Sequence, residues 1–144
     1  LEAKGPDFVG EGWNGLGPAP STHWIPAREA NKQRARERVL RMSADGGCSW
    51  YAALKLGFSM DPPPDCVILM AAGEPRDGKD VLLRLEDINP RRIPIHCLAV
   101  EQAGSPARGL AALATATKGS FGVVHNGTLR TGRAAEERTD PKYD

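Results

Sequence analysis

What this 144-residue chain has little of removes several classes of protein. No apolar run approaches the roughly 18 to 20 residues that span a bilayer, and the first residues lack a signal-peptide pattern. Leu1-Glu2 reads as an internal cut or a cloning scar, which would put the true start upstream. There are only three cysteines, Cys48, Cys66 and Cys97, too few and too odd in number for a disulfide framework. They and His23, His96 and His125 show none of the short paired spacings of a structural zinc site. Cys66 and Cys97 fall in predicted buried strands, where a free thiol acts as a small hydrophobe. That usage implies a reducing compartment, so the chain is expected inside the cell, in the cytoplasm. Net charge is scarce too: 19 basic against 18 acidic residues leave +1, which offers no bulk attraction for nucleic acid or an anionic membrane. No internal repeat is visible.

The length suits one domain, and folding at this length buries about 68–70% of the unfolded surface. The chain is organised around Asp65 to Gly78. Cys66 to Ala71 is an unbroken apolar run without alternation, the pattern of a parallel strand covered on both faces. Gly73-Glu74-Pro75 is a turn signal, and a helical pattern follows over Asp80 to Ile88. In open α/β sheets function gathers at the carboxyl ends of strands. The Ala72 to Asp77 loop is therefore the first place to look for chemistry.

Around this unit the chain reads in order. Residues 1–23 form a Gly/Pro-rich irregular arm, with Phe8, Val9 and Trp13 able to pin it and a weak strand pattern over Asp7 to Gly10. Pro26 opens a helix to about Met42 with a thin apolar stripe at Ala27, Ala30, Val39 and Leu40. Its other faces are basic; a solvated face is the plainer reading and a partner or phosphate surface the sharper one. After the Asp45-Gly46-Gly47 turn, Ser49 caps a helix over Trp50 to Phe58 with Tyr51, Leu54 and Phe58 on its core face. Pro62-Pro63-Pro64 is a stiff connector into the central strand. Val81, Leu82, Leu85 and Ile88 make an amphipathic face that Asn89-Pro90 ends. Ile93 to Val100 is a second strand. Ser105 and Pro106 start a helix whose buried stripe is Leu110, Leu113, Ala114 and Thr117, and Lys118-Gly119 stops it. Ser120 to Val124 is a third strand, Asn126-Gly127 a hairpin-type turn, and residues 130–144 a polar tail or linker. Alternation of this kind gives a mostly parallel sheet with helices on its faces: an α/β, three-layer, Rossmann-like domain over residues 24–129.

Four segments resemble the later part of a von Willebrand factor type A domain. Ala44-Asp45-Gly46-Gly47-Cys48 followed by Ala53-Leu54 looks like the family's Gly-Gly-Thr turn and the Ala-Leu of its next helix. Cys66 to Pro75 looks like its strand ending in Asp-Gly-Glu-Pro. Ile93 to Leu98 is similar to its next strand, and Leu110 to Gly119 to its Leu-Ala-x-x-Thr-Gly-Gly helix end. Together they cover about residues 24 to 124 in the family's order. The resemblance implies the three-layer fold but not the metal site. Metal-binding members hold a divalent ion with Asp-x-Ser-x-Ser, the Thr of the turn and the Asp of Asp-Gly-Glu-Pro. This chain has no Asp-x-Ser-x-Ser, Cys48 stands at the Thr position and Ala72 at the Asp position. A hard ion needs oxygen ligands, which neither supplies, so the metal-ion-dependent adhesion site is degenerate and no metal or other cofactor is expected. The family's first strand is not recognisable either. That leaves an unpaired edge on the central strand, which another segment or chain would complete.

Two enzymatic alternatives remain. Gly73 to Lys79 nearly spells a P-loop, but Asp80 stands where Ser or Thr should ligate magnesium, Glu74 and Asp77 would repel phosphate, and Pro75 removes a backbone donor. Cys48, before a helix N-terminus that would lower its pKa, could serve a thiol enzyme. It lacks a placed base, since His96 sits on a strand. Asn126-Gly127-Thr128 fits a glycosylation acceptor only in a secreted chain. The reading that remains is a non-enzymatic protein-interaction or scaffold module that binds another protein, or the rest of a larger chain, without a metal ion, a membrane or nucleic acid. Its expected surface is the loop end formed by Asp45, Gly46, Gly47, Cys48, Ser49 and Trp50 with Ala72, Glu74, Arg76 and Asp77; the second candidate is the basic helix face of Arg28, Lys32, Arg36 and Arg41.

Overall fold

The computed structural model describes residues 22–41, 49–72, 75, 77–101 and 104–140. Over these the chain runs α1 (Glu29–Arg41), α2 (Trp50–Phe58), β1 (Val67–Ala71), α3 (Gly78–Leu83), α4 (Leu85–Ile88), β2 (Ile95–Val100), α5 (Gly104–Ala116), β3 (Phe121–His125), β4 (Thr128–Thr131) and α6 (Arg133–Glu136). The strands form one sheet in the order β1-β2-β3-β4. β1 runs parallel to β2 with Leu69 beside Cys97, and β2 parallel to β3 with Ala99 beside Val123. β4 returns antiparallel to β3, Val124 facing Leu129, through the Asn126-Gly127 turn. Both turn residues have positive φ, 49° and 70°, as a tight two-residue hairpin turn requires. The chain is thus α/β with an open, mostly parallel sheet, compatible with a Rossmann-like layout.

One face of the sheet carries the core. Ala71, Ile95, Cys97, Ala99 and Val123 are buried there with Leu54 of α2, Val81 of α3 and Leu110, Leu113 and Ala114 of α5. Burial pushes the Cys97 thiol up to about 12. The turn after α5 can touch β2 because residue 119 is Gly: a Cβ there would stand 1.8 Å from the Ile95 carbonyl oxygen. Two buried polar side chains fix the entry to β2. Thr117 Oγ1 accepts the Ile95 N–H at 3.1 Å and donates to the Leu113 carbonyl at 2.9 Å. Asn89 bonds both backbone groups of Ile93 at 2.8 Å. Both side chains are hydrogen-bonded, which offsets the cost of burying them.

The other face is bare among the described residues. Ile68 and Met70 are 64% and 63% exposed and Leu129 is 58% exposed; Leu98, Val100 and Val124 are half-buried. The continuous apolar run of β1 predicts cover on both faces, but α2, α3 and α5 all pack on one. Helix α1 buries no residue, and Val39 and Leu40 stay exposed, because its apolar stripe is too thin to hold a helix to a sheet. The described residues therefore build two layers rather than three. Cys66, expected in a buried strand, is exposed just before β1 at the sheet edge.

Two further differences are confined to single segments. The helix predicted over Asp80 to Ile88 is interrupted at Arg84 into α3 and α4. Residues Arg130 to Asp140 read as a polar tail, yet they complete β4 and form α6, with Ala135 fully buried. Every side chain of β4 is exposed, so the strand has no apolar alternation to show. The arm residues Phe8, Val9 and Trp13 lie outside the described residues. Among the described residues no helix is long and apolar enough to cross a membrane.

Candidate functional site

The loop after β1 meets the N-terminus of α2. Ser49 holds the N-cap position in extended geometry but makes no side-chain cap bond. The cap comes from across the fold instead. Asp77 Oδ1 accepts the Trp50 N–H at 2.9 Å, and Asp77 Oδ2 accepts the Tyr51 N–H at 3.0 Å and the Ser49 hydroxyl at 2.6 Å. Partial burial pushes the Asp77 pKa up, but the hydrogen bonds from Ser49, Trp50 and Tyr51 outweigh it and hold the carboxyl below its ordinary value. A carboxylate is also favoured at the positive end of a helix.

Ser49, Trp50 and Asp77 of the expected loop-end surface are thus brought together. Trp50, however, is 2% exposed and its ring lies against Gly109 of α5, so it belongs to the core and offers no contact surface. Its Nε1 has no partner among the described residues. Ala72 is exposed. Asp45, Gly46, Gly47, Cys48, Glu74 and Arg76 lie outside the described residues, as does Gly73 of the P-loop alternative. The first two N–H groups of α2, those of Trp50 and Tyr51, already hold the chain's own carboxylate. Lys79 is exposed on α3.

A second cluster, unread in the sequence, joins the ends of β2 and β3. Glu101 has φ 52°. Its Oε2 accepts from His125 Nδ1 at 2.8 Å and its Oε1 accepts the Asn126 N–H at 2.7 Å. The other ring nitrogen of His125 stands 3.5 Å from the Asn126 amide nitrogen. Through its bonds to His125 and the Asn126 N–H, Glu101 clips the β3–β4 hairpin to the end of β2. At the opposite end of the sheet, His96 Nδ1 accepts the Ser120 N–H at 3.1 Å. Among the described residues no group of three or more His, Cys, Asp or Glu could hold a metal ion. Arg28, Lys32, Arg36 and Arg41 of α1 are exposed, and Lys32 pairs loosely with Glu29 at 3.5 Å.

The free edge of β1 is the remaining feature. The Val67 N–H donates to the Pro94 carbonyl at 2.9 Å, so Val67, Leu69 and Ala71 turn their backbone groups toward β2. Ile68 and Met70, one residue out of phase, turn theirs outward. Among the described residues no strand pairs with that side. Beside it, between β1 and α2, lies a cleft of about 280 Å³ lined by Trp24, Ala53, Leu56, Gly57, Met60 and Val67. Trp24 is held there by a bond from Nε1 to the Pro62 carbonyl. The sequence signal for this edge was the absent partner strand. Comparison of the chain with protein-family models, with curated proteins and with solved structures finds no match, so the von Willebrand resemblance rests on its four segments alone.

Proposed function

We propose that this chain is a non-enzymatic protein-interaction module that binds its partner without a metal ion. The observation that carries this reading is the exposed apolar edge strand, with Ile68 and Met70 open to solvent and no charge or proline from Val67 to Ala71. Proteins usually blunt such an edge with Lys, Pro or a bulge, because it invites another chain to pair. Contiguous exposed apolar surface marks interaction sites for the same reason. The von Willebrand resemblance supports a binding role and a three-layer sheet that another segment or chain completes. The Asp77 cap then acts as a brace, and the loop end from Asp45 to Cys48 with Ala72 to Arg76 is a second contact.

Displayed random peptides selected on the immobilised full chain in chelator test this reading, with the bound peptides located by backbone amide NMR. The expected outcome is binding that magnesium leaves unchanged, with shifts at β1 and the outer face. Peptides that require magnesium, or ATP binding that Lys79→Ala abolishes, would overturn it.

A further inference from the structure

We infer that the partner is an extended segment of another protein, which joins the sheet as a strand on the open edge of β1 and seats a bulky apolar side chain in the cleft between β1 and α2. The inference rests on the interaction-module reading and names the partner's chemistry.

The backbone restricts the occupant first. Ile68 and Met70 each aim one N–H and one C=O at the edge, two residues apart. An extended polypeptide presents acceptors and donors at that spacing. An apolar helix or a lipid surface would cover the side chains and leave these groups dry and unpaired, a desolvation cost with nothing to offset it.

The side chains restrict it further. A strand added at this edge points alternate residues to the two sides of the sheet. One set meets the flank of α2, where Ala53 and Gly57 carry little bulk and the cleft opens. The other set lies beside Ile68 and Met70. The joining segment is therefore apolar on both faces over about the length of β1, the composition of a strand inside a sheet. A second copy of this chain fits less well. Antiparallel pairing of two β1 strands that uses all their residues centres on Leu69 and sets Ala71 opposite Val67. Only a methyl group would then reach the cleft.

The probe is a fluorescein-labelled peptide, Lys-Thr-Val-Phe-Val-Leu-Val-Thr-Lys, titrated by anisotropy against the full chain. Saturable binding is expected, with amide exchange at Ile68 and Met70 slowed more than tenfold. Met70→Pro removes a donor that faces outward rather than into the β2 ladder, so it weakens binding at least tenfold while a cooperative melt is kept. Gly57→Phe puts a ring into the cleft, where a Cβ meets only Val67 at 4.0 Å, and weakens binding at least fivefold. Leu129→Lys, on the outer face away from the edge, leaves it unchanged. Unaltered affinity in both Met70→Pro and Gly57→Phe overturns the inference. So does failure of this peptide while library-selected peptides still bind, which leaves the interaction-module reading standing; failure of both sinks both. A dimer in sedimentation that Met70→Pro dissociates assigns the edge to a second copy. Slow exchange at Ile68 and Met70 in the free monomer assigns it to this chain's own residues. Either result also overturns the inference.

Discussion

The two faces of this sheet are made from alternate residues of the same strands, yet they meet opposite fates. On one, Ile95, Cys97, Ala99 and Val123 are sealed with Leu110 and Leu113 of α5. On the other, Ile68, Met70 and Leu129 face solvent. The contrast is sharpest in β1, whose residues Val-Ile-Leu-Met-Ala are apolar on both sides while, among the described residues, only one side is packed. An apolar strand reports how much surface calls for cover; it does not say which chain provides the cover. The buried face is explained by the fold, and the open face is the one the proposed partner would cover.

The comparison breaks most easily at the core. Leu113→Ala should lower the unfolding free energy by about 3 kcal/mol in urea titration, as core truncations do. Met70→Ala, losing a similar volume, should cost under about 1 kcal/mol. Equal costs would mean that the outer face is already packed. Next comes the brace at α2. Asp77→Ala removes a charged cap and should cost about 1–2 kcal/mol. Because the folded carboxyl is held below its ordinary value, its contribution is present above about pH 4 and fades as pH falls through the depressed pKa. The gap between wild type and Asp77→Asn should therefore close on acidification. Met70→Lys should shift stability by no more than about 0.5 kcal/mol while reducing partner binding. The smallest effect is chemical: exposed Cys66 should alkylate readily in the native protein, whereas Cys97, with its thiol pushed up to about 12, should not until the core opens.

Much of the fold is legible in the sequence where the signal is local. Apolar spacing and the preceding glycine turn place α2 at Trp50 to Phe58, and Asn126-Gly127 marks the hairpin. Gly119 ends a helix and also admits the Ile95 carbonyl. What escapes reading depends on residues distant in sequence. Ser49 has the right chemistry for a cap, but a stronger, charged acceptor arrives from 28 residues away. Glu101 finds His125 only because β2 and β3 are neighbours. Of the candidate surface, Ser49 and Asp77 do meet, while Trp50 turns inward and Tyr51, expected in the core, lies half-buried with the Arg84 guanidinium 4.6 Å above its ring. Helical periodicity fixes which residues share a face; it leaves open which of two adjacent aromatics that face buries.

The most direct test of the account is residue-resolved amide hydrogen exchange along β1 in the free chain. The open-edge account predicts alternation, with slow exchange at Val67, Leu69 and Ala71, which bond to β2, and fast exchange at Ile68 and Met70. Uniformly slow exchange across all of β1 would mean that the edge is already paired, and would contradict the claim that this sheet waits for a partner.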